Sequence, residues 1–544
     1  MSKPRPLFIA GFLLFVVALY GAVTLAKGGL YVATYEGDTA HLLDLALRLA
    51  GGAQPHTEFM TPLGVLSYAP ISFFLNMGAG AGHAFIYSQI LVALCLLPAL
   101  WWAIISRLSG GWAYFFGFYV IVLTLALSQG QTTSAISVAM HYNRWAWSVA
   151  YIVVLIAVVA PVYRKSVVAD GAIIGVGMAF LALCKLTYFA AFALPVLIAL
   201  LVRRQWGTLG AAVVAGIGVI AVMTLLMGVD FWGAYLNDLL AVASSDVRPY
   251  PNKPFFTMLR LPAYMGGTLL VFLAVVLLRQ AGKKDMGLLL MIFAPAFFYV
   301  MFQNFGNDPQ WLVLTGVLIV LSRPEPGVSN SFGWDMRQAL ALAAAAIFAL
   351  SSPAALNMIY SPMVHLKVNE ADFGVFLPTR PEHNDLFGDT KRAYALKANI
   401  RLDIPDTSPM VKGHGAAKEQ TLLAGEPLRA CELYDGAVGY FSSIAEELSA
   451  AGVGPDDGFL VADIVNVAWM FGDFKPLPGG GPWYYGGAPG LENARYLVVP
   501  NCPYRMSERH RIIGEVVKRE LPLKEVYRSS MLILMEIGRE TPQG

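Results

Sequence analysis

The sequence predicts an α-helical polytopic membrane protein of about eleven transmembrane helices with a C-terminal α/β extracytoplasmic domain. Three observations predict it. First, 57% of the 544 residues are hydrophobic and only 14% are charged, where a soluble chain carries roughly 25% charged residues. Second, the apolar residues gather in runs long enough to cross a bilayer. Third, the basic residues between runs are dense in every second turn, as cytoplasmic turns are.

The runs lie at about 7–26, 84–106, 112–129, 146–163, 170–185, 187–202, 208–229, 264–279, 286–302, 311–322 and 337–353. The first is longer than the roughly 7–15-residue core of a cleaved signal peptide and reads as a retained anchor. The 311–322 run is short for a crossing and needs extension or a thin bilayer. With the N-terminus in the cytoplasm, the cytoplasmic turns hold Arg107, Arg164–Lys165, Arg203–Arg204, Arg279 with Lys283–Lys284, and Arg323 with Arg337. The opposite turns, 27–83, 130–145, 184–187, 230–262 and 303–310, hold few basic residues for their length. An odd number of crossings puts the C-terminus outside. The expected localisation is the inner (plasma) membrane, with a periplasmic or otherwise extracytoplasmic C-terminal domain.

Residues 1–354 therefore form the membrane domain, with a first outer loop at 27–83, and 355–544 form the outer domain. In the latter, "FLVADIV" (459–465), "ARYLVVPNC" (494–502) and "MLILMEIG" (531–538) predict strands. "YFSSIAEELSAAG" (440–452) and "SERHRIIGEVVKREL" (507–521) predict amphipathic helices. "PLPGGGPWYYGGAPG" (476–490) reads as a flexible aromatic loop. Cys431 and Cys502 are the two cysteines of this domain, and an oxidising compartment would pair them. Two thiols are the other reading. Cys95 and Cys184 lie in spans and read as packing residues. A basic run with interleaved aromatics is missing from the sequence, so nucleic acid is not an expected partner.

The chemistry gathers in the first outer loop. "DTAHLLDLALRLAGG" (38–52) reads as a short helix with Asp38 as N-cap and Gly51–Gly52 as its stop. Leu42, Leu45, Ala46 and Leu49 give an apolar side, and His41, Asp44 and Arg48 a polar one, so the helix should lie along the membrane surface. "AQPHTEFM" follows, and a second helix is expected to restart at Thr61 and Pro62. The order is a membrane span, an early acid, a helix, G-G, x-x-P-H-x-E-F and x-x-P-L-G. It resembles the GT-C superfamily of membrane glycosyltransferases, to which protein O-mannosyltransferases and lipid A aminoarabinose transferases belong. The resemblance covers about 1–350 and the order of long first loop, spans and outer domain. It implies that Asp38 is the catalytic acid of the first loop, with Glu58 as a second catalytic carboxylate. Glu36 is the alternative base, two residues from Asp38, and His56 stands where an aromatic is common.

Three basic residues suit a phosphate. In "QTTSAISVAMHYNRWAW" (131–147), His141 and Arg144 stand at the mouth of a span, and a planar guanidinium suits phosphate geometry. The other reading of Arg144 is an interfacial anchor beside Trp145 and Trp147. In "GMAFLALCKLTYFAAFALP" (177–195), Lys185 interrupts an apolar stretch, a costly placement unless it faces a cavity holding an anion. The resemblance implies a donor-phosphate role for a basic residue near this place. Arg260 and the turn "QNFGNDPQ" (303–310), with Asn304 and Asn307, offer groups for substrate hydroxyls, as do Glu36 and His56. Arg248 and Lys253 are further basic residues of the 230–262 turn. An HxxH or HExxH pattern is missing, so no metal site is signalled, no cofactor is expected, and dependence on a divalent metal stays open.

The expected function is transfer of a sugar from a polyprenyl-phosphate carrier to an extracytoplasmic acceptor: a glycan, lipid or protein. Membrane lipids are the other expected partners. The alternatives are a transporter or flippase of a lipid-linked or polar substrate, and a non-catalytic envelope assembly factor.

Overall fold

The computed structural model describes residues 5–129, 133–245, 247, 254–304, 309–400 and 421–538, with side chains omitted at 397–400. In chain order, helix α1 (Pro6–Leu25) leads through strand β1 (Leu30–Val32) to α2 (Glu36–Ala50), α3 (Ala69–Asn76) and α4 (Ala81–Arg107). There follow α5 (Gly110–Leu125), α6 (His141–Val158), α7 (Val167–Cys184), α8 (Leu186–Val202), α9 (Trp206–Met227), α10 (Asp230–Ala243) and α11 (Phe255–Leu259). The helical part closes with α12 (Pro262–Gln280), α13 (Lys284–Gln303), α14 (Trp311–Leu321) and α15 (Met336–Leu366).

Each of the expected apolar runs is a helix, and among the described residues seven helices are long and apolar enough to cross a membrane: α1, α4, α7, α9, α12, α13 and α15. Three more, α5, α8 and α14, are apolar but shorter. Helix α6 carries His141, Asn143 and Arg144 yet is buried along its whole length, so its neighbours cover its polar groups. Helix α9, by contrast, is only 11% buried and presents its apolar surface outward. Two expected boundaries shift. The last helix was expected to end at 353, but α15 runs to Leu366 through Pro353 and Pro362. Serine hydroxyls re-satisfy the carbonyls that the prolines free: Ser352 Oγ donates to Ala349 O at 2.8 Å and Ser361 Oγ to Met358 O at 2.7 Å. The helix expected to restart at Thr61 begins later, after a short 3₁₀ turn at Val65–Ser67. Here the chain bends over the end of α7, where a Cβ on Gly64 would meet Leu183 O at 2.1 Å.

The turns sort to two ends of the bundle. At one end Arg107 bonds Asp170 and Val159 O, Arg203 bonds Ala157 O, and Arg337 bonds Pro324 O. At the other end Ala33 N donates to Ile136 O, His141 Nε2 meets Ser67 O at 3.0 Å, and Tyr235 donates to Ala182 O. The basic turns and the acid loop thus lie at opposite ends.

The C-terminal region adds β2 (Phe373–Val375), β3 (Leu386–Asp389), β4 (Lys397–Ile400), β5 (Leu422–Leu423), β6 (Glu426–Pro427), β7 (Cys431–Asp435), α16 (Ala437–Ala450), β8 (Phe459–Val461), β9 (Tyr496–Pro500), α17 (Met506–Lys518), β10 (Leu523–Arg528) and β11 (Leu532–Ile537). The main sheet has the order β10-β11-β9-β8, with β8 parallel to β9. Alternation along β9 sends Leu497 and Val499 to a core shared with Ile512, Ile513 and Val516 of α17. Val498 points the other way, to a core shared with Ile444 and Leu448 of α16. Each fully buried aliphatic side chain contributes about 1.5–3 kcal/mol. Cys431 and Cys502 form a disulfide.

This region is not a separate appendage. Strand β1, from the first loop, pairs in parallel with β3, Leu30 opposite Leu386 and Val32 opposite Gly388. Asp385 accepts from Gly82 N and His83 N, capping α4 from the far end of the sequence. The stretch expected to be a flexible aromatic loop is packed: Trp483, Tyr484 and Tyr485 are buried. Met60 N donates to Gly480 O, and Gly479 N donates to Glu58 O. Glycines allow this approach, since a Cβ on Gly481 would sit 2.8 Å from Met60 O.

Candidate functional site

Helix α2 carries the acids, and its start differs from the expectation. Tyr35, in the left-handed region at φ 61°, is the N-cap, and Glu36 and Asp38 both fall in the first turn. Asp38 is therefore not a cap. Its carboxylate benefits from the helix N-terminus as a charge on the first turn. Asp38 is half-buried. Glu36 is 6% exposed, and its carboxylate takes a 3.2 Å bond from Arg392, which also reaches Asp435 at 3.6 Å. Glu36 is thus pinned to the C-terminal region.

The polar side of α2 does not face solvent. His41, Asp44 and Arg48 are all buried, under the C-terminal region. Asp44 accepts from Arg48 at 2.8 Å and from Trp469 Nε1 at 2.5 Å. Arg48 donates onward to Leu477 O and lies over the rings of Phe59 and Trp469. The His41 ring meets Trp483 edge-on at 5.5 Å. Burial pushes the Asp44 carboxyl up, opposed by the Arg48 charge and the hydrogen bonds from Arg48 and Trp469. Helix α2 is thus apolar toward the bundle and ionically locked toward the sheet domain, which holds its first turn in place.

The remaining sites sort by what they touch. Glu58 is exposed, and its carboxylate accepts from Gln54 N at 2.5 Å, bracing its own turn. His56, at φ 68°, is buried and meets Asp238 at 2.8 Å, while its ring lies tilted against Tyr235 at 4.5 Å. Asp238 also accepts from Thr61 N, so the pair pins α10 to the first loop. Both ring nitrogens of His141 face backbone carbonyls, of Val138 and Ser67, and the ring packs on Trp145. That arrangement positions loop backbone. Arg260 is exposed at the end of α11. Asn307 and Asp308 lie outside the described residues, as do Arg248 and Lys253. Lys185 stands between α7 and α8, half-buried, with its ammonium 5.2 Å from the Tyr142 ring centre.

Arg144 is the exceptional group. It is 3% exposed, inside the bundle, and one nitrogen donates to Ala126 O at 2.8 Å. Its Nε and Nη1 are buried without a partner, and no carboxylate reaches it among the described residues. Arg144 lines a cavity of about 20 Å³ together with Asn304 of the α13 end and Gln310 at the start of α14. Sequence reading selected Arg144 and Asn304 separately, and the fold brings them together. It missed Gln310, although that residue closes the "QNFGNDPQ" turn. Gln129 and Met140, which line the cavity, belong to the same segment as Ile136, whose carbonyl accepts from Ala33 N just ahead of α2. Among the described residues no group of three His, Cys, Asp or Glu side chains is placed to hold a metal ion.

A scan against protein-family models and a search of curated proteins both return no match.

Proposed function

We propose that the chain is a membrane glycosyltransferase of the GT-C kind, moving a sugar from a polyprenyl-phosphate carrier to an extracytoplasmic glycan, lipid or protein. The observation that carries this reading is the buried Arg144 guanidinium. It has no acid partner among the described residues, and its cavity adjoins the segment that anchors the acid turn of α2. A buried cation without a counter-ion is costly, and a bound anion removes that cost. The separation of basic turns from the acid loop supports eleven crossings, a cytoplasmic N-terminus and an outer C-terminal domain.

In this reading the step is a single displacement at the anomeric carbon. The acceptor oxygen forms a bond to that carbon as the bond to the carrier phosphate breaks, and the phosphate leaves with the electron pair. Asp38 takes the acceptor's proton. Arg144 and Lys185 stabilise the charge on the departing phosphate. Asp38 is taken as the base because the resemblance maps the catalytic acid of the first loop onto it; Glu36, which bonds Arg392, is the alternative. The sheet domain braces α2 through Arg392, Trp469 and Leu477, which keeps the base rigid.

Mass spectrometry of envelope glycans and lipids from cells lacking the chain tests the reading. A species lighter by one sugar residue is expected. Unchanged masses in every fraction would contradict it.

A further inference from the structure

The cavity beside Arg144 is rich in donors. Arg144 Nε and Nη1, Asn304 Nδ2 and Gln310 Nε2 are all buried and lack a partner among the described residues. Asn143 Oδ1 is an orphan acceptor on the same cavity, and the Tyr188 hydroxyl can act either way. Buried donors are rarely left unmade, so such a surplus of N–H groups marks a site built for an acceptor. Gln310 is held from two sides. Tyr119 donates to its Oε1 at 3.3 Å, and Tyr151 donates to its backbone carbonyl at 2.5 Å. With Oε1 occupied, the amide N–H group is the part left for the cavity. The volume of about 20 Å³ decides what can enter. About 10–15 Å³ admits one water-sized body, so an oxygen fits and a sugar ring does not.

We propose that Arg144, Asn304 and Gln310 form an oxyanion pocket that takes a non-bridging oxygen of a phosphate ester, with Tyr119 as the positioning residue that turns the Gln310 N–H group inward. The inference rests on the glycosyltransferase reading only for the source of that phosphate, a lipid carrier. It gives the amides a role distinct from sugar recognition: they read the leaving group.

The test is equilibrium binding to the full chain in lipid nanodiscs, with geranyl phosphate, inorganic phosphate and geraniol as probes. Geranyl phosphate is expected to bind and geraniol not. Stronger binding of geranyl phosphate than of inorganic phosphate assigns the pocket to a lipid phosphate, and equal binding overturns that assignment while keeping the pocket. Gln310→Glu should weaken phosphate binding by about tenfold or more, the loss of a charge-assisted bond. It should also raise the melting temperature of the ligand-free protein, because the new carboxylate supplies Arg144 with an anion. Asn304→Ala should weaken binding in the same direction, and serves if the first variant does not fold. Tyr119→Phe should weaken binding severalfold in the wild-type background and add little in the Gln310→Glu background, as expected of residues acting through one another. Wild-type phosphate affinity in Gln310→Glu or in Asn304→Ala, or equal binding of geraniol, overturns the pocket. Binding without sugar transfer keeps the pocket and overturns the glycosyltransferase reading, and transfer with unchanged binding in the variants does the reverse.

Discussion

Asp44 and Arg48, one turn apart on α2, meet at 2.8 Å with side chains only 0% and 3% exposed. On an isolated surface helix such a pair contributes about 0.3–0.5 kcal/mol. Here the pair is covered by Trp469 and by the backbone of Leu477, more than four hundred residues away in sequence. It works as a joint between the first loop and the sheet domain.

Breaking that joint on one side should be costly. Arg48→Ala leaves the Asp44 carboxylate buried without its cation, which typically costs about 3–5 kcal/mol. Replacing both residues by apolar ones should cost much less. Thermal unfolding of the purified chain in detergent measures this. Equal losses in the single and double variants would show that the pair is not a joint.

Asp463 gives a pH dependence with a definite sign. It is fully buried in the sheet domain, accepting from Tyr440 and from the backbone N–H groups of Ile464, Tyr504 and Arg505. Burial pushes its carboxyl up to about 6, against those hydrogen bonds. The folded state therefore favours the protonated form. The stability this contributes is fully present below the unfolded carboxyl's pKa, about 3.9, and is lost as pH rises through about 6. The difference in melting temperature between wild type and Asp463→Asn should fall from pH 4 to pH 7. A rising or flat difference would contradict the assignment.

The Cys431–Cys502 bridge closes a loop with a sequence separation of 71. On the chain-entropy account a loop of that length stabilises by about 4 kcal/mol. The double Cys→Ser variant should be cut by protease within the sheet domain under conditions where the wild type is not. Equal resistance would mean that the domain's apolar core and its docking on α2 suffice without the bridge.

The helices of the first 366 residues were largely legible in the sequence because apolar length is a local signal: each expected run became a helix. The strands at 459–461, 496–500 and 532–537 were legible for a similar reason, through their β-branched and aliphatic runs. Four things were not legible. The polar side of α2 looked like a solvated face because its covering residue, Trp469, is remote in sequence. The glycine-rich 476–490 stretch looked loose, since composition alone does not reveal that Gly481 is small to fit against Met60. Asp38 looked like a cap because Asp is a frequent cap, whereas Tyr35 adopts the required turn three residues earlier. The cavity could not be found by spacing, because α6, α8, α13 and the turns before α6 and α14 all contribute to it.

The central claim is that Asp38 is the base of a sugar transfer, and one substitution tests it most directly. Asp38→Asn preserves side-chain shape and the local turn while removing the proton acceptor. The measurement is turnover of a polyprenyl-phosphate sugar by the purified chain, with donor binding determined on the same preparation. The account predicts wild-type folding and donor binding with transfer reduced about 10²–10⁴-fold. Near wild-type turnover in Asp38→Asn would contradict it.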